Sequence, residues 1–78
     1  MKERMKYMED LISNVDAINF GRMKLQEIPE MSIEEAKELK KEMEVWCTSR
    51  KYTIFMPAVR FFQDKVLPKL NNKIQEGE

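Results

Sequence analysis

A chain of 78 residues with 14 basic and 14 acidic side chains, no histidine and one cysteine has room for one small core and no charge excess with which to hold a DNA or RNA polymer. Cys47 alone makes no internal disulfide, which points to a reducing cytoplasm, and the ligands of a zinc or haem site and the usual general base of a hydrolase are missing, so neither a cofactor nor an enzyme is expected. The opening run Met1-Lys2-Glu3-Arg4-Met5 alternates charge with methionine and no apolar stretch reaches the length of a signal or membrane segment, so export and membrane insertion are not expected.

The first element is predicted as an amphipathic helix over about residues 2–20. Met5, Met8, Ile12 and Val15 recur at helical spacing, with Leu11 and Ile18 widening the stripe. The pattern decays at Asn19-Phe20-Gly21, where a glycine can take the left-handed position that ends a helix, so a stop or kink is expected there. Arg22 to Ile28 is left open between helix and crossing segment, and Pro29 disfavours helical geometry in the residue before it.

The second helix is expected over 33–47. Ser32-Ile33-Glu34-Glu35 matches the reciprocal serine and glutamate capping box, which makes Ser32 the N-cap. Ile33, Ala36, Leu39, Met43 and Trp46 or Cys47 form the buried stripe, with Glu34, Glu38 and Glu42 on the opposite side. The stripe lapses at Thr48 to Tyr52, and Pro57 is expected to bend whatever helix reaches it.

The third helix, about 54–70, carries Phe55, Val59, Phe62, Val66 and Leu70 at steps of four, three, four and four, flanked by Met56 and Leu67. Pro68 either kinks it or marks its last turn, after which residues 71–78 read as a frayed polar tail. The fold class is therefore all-α, a helical hairpin or three-helix unit. Seven methionines, four phenylalanines, two tyrosines and a tryptophan are a large apolar inventory for so small a core. Part of the set Met1, Met5, Met8, Phe20, Met23, Met31, Trp46 and Phe61 is expected at the surface or against another subunit, so an oligomer is expected.

Charge is unevenly spread. Residues 27–47 hold three basic and seven acidic side chains, whereas 48–78 hold six and three. With glycine only at positions 21 and 77 there is no phosphate-cradling backbone loop, so any anion would have to be held by side chains. The cations with aromatic or apolar neighbours are Arg22 and Lys24 after Phe20, Arg50 and Lys51 before Tyr52, and Arg60 between Val59 and Phe61. An arginine fork grips phosphate oxygens in two bonds and a flat ring stacks a base, although such cations are more often solvated or paired surface groups.

The segment Tyr52-Thr53-Ile54-Phe55-Met56-Pro57-Ala58-Val59-Arg60 resembles the signature of the phage anti-CBASS cyclic-nucleotide sponge family, with Thr53, Phe55, Met56, Val59 and Arg60 at the matching positions. The resemblance implies a short helical-hairpin protein that assembles into hexamers, sequesters cyclic di- and trinucleotide second messengers between protomers without catalysis, and so silences a bacterial antiphage alarm. It also implies a grip by an aromatic residue of the first helix and a nearby basic one, for which Tyr7 with Arg22 or Lys24 are the candidates by character. The alternative function is a small helical adaptor or inhibitor that binds a host or phage protein through a methionine-rich apolar face.

Overall fold

The computed structural model describes residues 11–77, and Tyr7, Met1, Met5 and Met8 lie outside them. The described chain is helical with no strand: α1 (Asn14–Glu27), a 3-10 turn (Ile28–Glu30), α2 (Ile33–Ser49), α3 (Met56–Phe61), a π turn (Phe62–Val66) and α4 (Leu67–Gly77). The backbone stays right-handed helical through Phe62 and Leu67, so α3, the π turn and α4 form one rod. Asn14 touches Ile54 and Ala58, Gly21 meets Phe61 and Phe62, and Lys73 reaches Pro29, so α1 runs parallel to the rod. Helix α2 runs back antiparallel to the rod and packs on it, with Ile33 beside Gly77 at one end and Cys47 beside Val59 at the other. The result is an up-down-up unit of three helical rods, the all-α class that the periodicity implies.

Helix α1 differs from expectation at both ends. Ser13 is extended (φ −146°, ψ 163°) and its Oγ accepts the Asp16 N–H at 3.1 Å, so α1 begins at Asn14 and Leu11–Ser13 of the predicted helix 2–20 are not helical, while its residues 2–10 lie outside those described. That cap resets the face. Ala17, Phe20, Gly21 and Ile28 are buried, with Ile18 and Leu25 packed against the core, while Ile12 and Val15 of the predicted stripe are exposed. Gly21 is not a terminator. It sits mid-helix without a positive φ, under the rings of Phe61 and Phe62, and the helix continues to Glu27, which settles residues 22–27 as helical. Pro29 falls in the first positions of the 3-10 turn, where its missing N–H breaks no bond.

Helix α2 starts as the capping box dictates: Glu35 N–H to Ser32 Oγ at 3.1 Å and Ser32 N–H to Glu35 Oε1 at 3.3 Å. Ala36, Leu39, Met43, Trp46 and Cys47 are buried, as the spacing predicts. Glu42, assigned by spacing to the outer face, is also buried.

The rod answers both proline questions. Pro57 lies in the first turn of α3, a position that demands no N–H, and so starts a helix instead of bending one. Pro68 does not end the rod. Its ring would crowd the carbonyl four residues back, and the turn before it widens to a π turn in which the Leu67 N–H reaches Phe62 O. Residues 71–77 are helix and not a frayed tail, because Leu70 is fully buried, Ile74 packs on the core and Lys73 Nζ donates to Pro29 O at 2.9 Å.

Phe62, Leu39, Met43, Leu70, Val59 and Val66 form the interior. Trp46 meets the rings of Phe62 and Phe55 edge-on, at centroid distances of 5.1 and 5.7 Å. Phe20 and Trp46 thus belong to the core, and of the aromatic and methionine candidates for exposure within the described residues Met23 is open and Met31 and Phe61 are half-buried. No helix of the described residues is long and apolar enough to cross a membrane.

Candidate functional site

Three of the candidates, Arg50, Lys51 and Thr53, lie at the connection between α2 and α3. As α2 ends, the Ser49 hydroxyl donates to Trp46 O at 3.0 Å and the Arg50 N–H reaches Trp46 O and Cys47 O, closing the helix. Arg50 then folds back over the ring of Trp46, its guanidinium carbon 4.6 Å from the ring centroid and 5.7 Å from that of Phe55. One of its five N–H donors goes to Ser49 Oγ at 2.9 Å. The buried tryptophan therefore fixes a cation at the surface.

The next residues form a locked turn. Tyr52 has φ 62°, in the left-handed region that a large L side chain enters only at a cost, and it is the one non-glycine residue there among those described. Four bonds hold it. The Thr53 hydroxyl donates to Arg50 O and accepts the Phe55 N–H at 3.1 Å, the Met56 N–H meets Thr53 O at 3.1 Å, and the Tyr52 N–H points at Met56 Sδ at 3.1 Å. Asn14 then clamps the turn to α1, with Nδ2 donating to Ile54 O at 2.7 Å and Oδ1 accepting the Ala58 N–H at 3.3 Å. Tyr52 projects into solvent with Lys51 Nζ 5.8 Å from its ring centroid.

Of the sequence candidates, Arg50, Lys51 and Thr53 are brought together at this corner, but Thr53 has its hydroxyl committed to the turn and acts by shaping it. Arg60 is exposed on α3, about 6 Å of helix rise beyond Met56. Arg22 is exposed on α1 next to Gly21, whose packing against Phe61 brings α1 and α3 together beside Arg60. Lys24 is elsewhere. It bonds Glu27 Oε1 at 3.0 Å, lies 5.3 Å from the Phe20 ring centroid, and stands about 15 Å of helix rise from Asn14. Tyr7 lies outside the described residues.

One of two further residues of this corner had a readable signal. Ser13-Asn14-Val15-Asp16 has the spacing of an N-cap with an acidic third residue, which would have placed Asn14 at a helix start. Tyr52 follows a basic pair in a segment without helical periodicity, but nothing local announces its positive φ.

Beneath the corner lies Cys47, its thiol pushed up from 9.0 to about 11 by burial first and by the Glu44 charge second, with Arg50 pulling the other way. It is a buried core thiol that stays protonated near neutral pH. Among the described residues no group of three or more acidic or cysteine side chains is placed to hold a metal ion. Comparison with protein-family models, with curated proteins and with solved structures finds no match for this chain.

Proposed function

We propose that this chain binds and sequesters cyclic di- or trinucleotides without transforming them, and so suppresses bacterial antiphage signalling. The observation that carries the reading is the Arg50-Lys51-Tyr52 corner, where a guanidinium lies over the Trp46 ring and an ammonium lies 5.8 Å from the exposed ring of Tyr52 in a hydrogen-bonded turn. That is the chemistry a nucleotide phosphate and base require. The corner lies at the head of the Tyr52 to Arg60 segment whose residues resemble the sponge family. A cyclic dinucleotide presents two phosphates and two bases, so a protomer pair offering the corner twice matches it better than one copy does. Sequestration needs no acid, base or nucleophile.

Isothermal titration with a panel of cyclic di- and trinucleotides tests the reading. Binding at one ligand per protomer pair, with the ligand recovered intact by mass spectrometry, is the expected result. Arg50→Gln removes a charge-assisted contact worth about 1.5–3 kcal/mol, so affinity should fall by roughly tenfold or more. No heat across the panel overturns the reading.

The adaptor alternative, built on a methionine-rich face, has less support. Met43 is fully buried, Met31 and Met56 are half-buried, and of the described methionines Met23 alone is exposed.

A further inference from the structure

The same end of the bundle carries an apolar surface of which the nucleotide reading uses Tyr52 alone. Ile12, Val15, Tyr52 and Ile54 are 77%, 68%, 85% and 79% exposed. The Asn14 bond to Ile54 O draws them together, since it ties the start of α1, with Ile12 and Val15 on either side of Asn14, to the turn that bears Tyr52 and Ile54. Helical spacing would have turned Ile12 and Val15 inward. The Ser13 cap turns them out instead, while Ala17 and Phe20 take the core.

We infer that two copies of this chain pair through the face formed by Ile12, Val15, Tyr52 and Ile54. The area decides for a second copy. Four large apolar side chains this open present roughly 600 Å² of surface, taking on the order of 200 Å² for each when fully exposed. That is the upper end of what a monomer leaves uncovered, and most of the roughly 800 Å² per partner of a standard stable interface. A two-fold pairing lays the same patch on itself, so each buried residue counts twice from one sequence. The rim suits self-pairing too: Asp16 and Lys51 give it both signs, and equal totals of acidic and basic residues leave no net charge to drive copies apart. This pairing would supply the protomer pair of the nucleotide reading, and it stands without any ligand.

Sedimentation velocity of the full chain, without nucleotide, from about 1 µM to about 100 µM spans micromolar self-affinity. The expected result is a species of twice the 9.4 kDa protomer mass, or an even multiple, whose share grows with concentration. Ile54→Glu and Val15→Lys alter exposed positions, so each should keep the wild-type circular dichroism and melting temperature while shifting the species toward 9.4 kDa, with self-affinity weakened at least tenfold. A wild-type chain that stays at 9.4 kDa throughout overturns the inference, and so does an oligomer that both variants leave unchanged. Calorimetry with nucleotide is read separately: an interface that passes these tests and binds no nucleotide sinks the sponge reading alone.

Discussion

Gly21→Ala sets two effects of comparable size against each other. Alanine in a helix interior is worth about 1 kcal/mol over glycine, so on propensity alone the variant should be more stable. The added Cβ, however, would lie 2.6 Å from Phe61 Cε2 and 2.8 Å from Phe62 Cε1, against an ordinary carbon contact of about 3.5–4.0 Å. Phe61 is half-buried and can swing aside. Phe62 has no exposed surface and is backed by Trp46 at 5.1 Å, so either its ring or α1 must move by about 1 Å. Overpacking of this kind costs about 1–3 kcal/mol, and we expect a net loss of about 1 kcal/mol for alanine and a clearly larger one for Gly21→Val. In a chain of this size 1 kcal/mol lowers the melting temperature by about 4–8 °C, which circular dichroism resolves. Gly77→Ala is the contrast. Its Cβ would overlap Ile33 Cδ1 and Cγ1 even more closely, but Ile33 is a half-buried side chain at the end of the bundle that can turn aside, so the loss should be smaller than at Gly21. A Gly21→Ala protein that melts at or above the wild type would refute the claim that ring packing, not turn geometry, requires this glycine.

Ser32→Ala removes the hydroxyl that accepts the Glu35 N–H while keeping the backbone N–H that Glu35 Oε1 accepts, so urea unfolding should show a loss of about 1 kcal/mol. Cys47 gives a pH signature. Its folded-state thiol is raised from 9.0 to about 11, so in that window the unfolded chain releases the proton while the folded chain keeps it, and the folded state binds more protons. Its contribution is thus complete below pH 9 and is lost as pH rises toward 11; wild-type stability should fall more steeply across that interval than that of Cys47→Ala. Matching slopes for the two proteins would count against a buried thiol.

Much of the framework is written locally. The Ser32 box and the Ala36 to Cys47 stripe specify α2, and the Phe55 to Leu70 stripe specifies the rod, because a cap and a repeated apolar spacing act within a few residues of themselves. The corner is only half local. Arg50 and Lys51 can be picked out as cations beside an aromatic residue, but the stacking of Arg50 on Trp46 depends on how α2 ends.

The rest needed the assembled bundle. Whether Gly21 ends a helix or admits a ring depends on Phe61 and Phe62, forty residues later, and whether residues 71–77 fray depends on burial of Leu70 and Ile74 against α2 and the 3-10 turn. Pro68 reads as a break until packing on both sides makes a widened turn the cheaper answer. Asn14 reads as a polar residue near a helix start, and only the tertiary structure makes it the clamp on the Tyr52 turn. The sequence by itself determined which segments would be helices and which faces of the second and third would be apolar, since those follow from neighbours three and four residues apart. Tertiary structure decided where each helix stops and which apolar side chains are left for a partner, because those depend on free energies summed over residues distant in the chain.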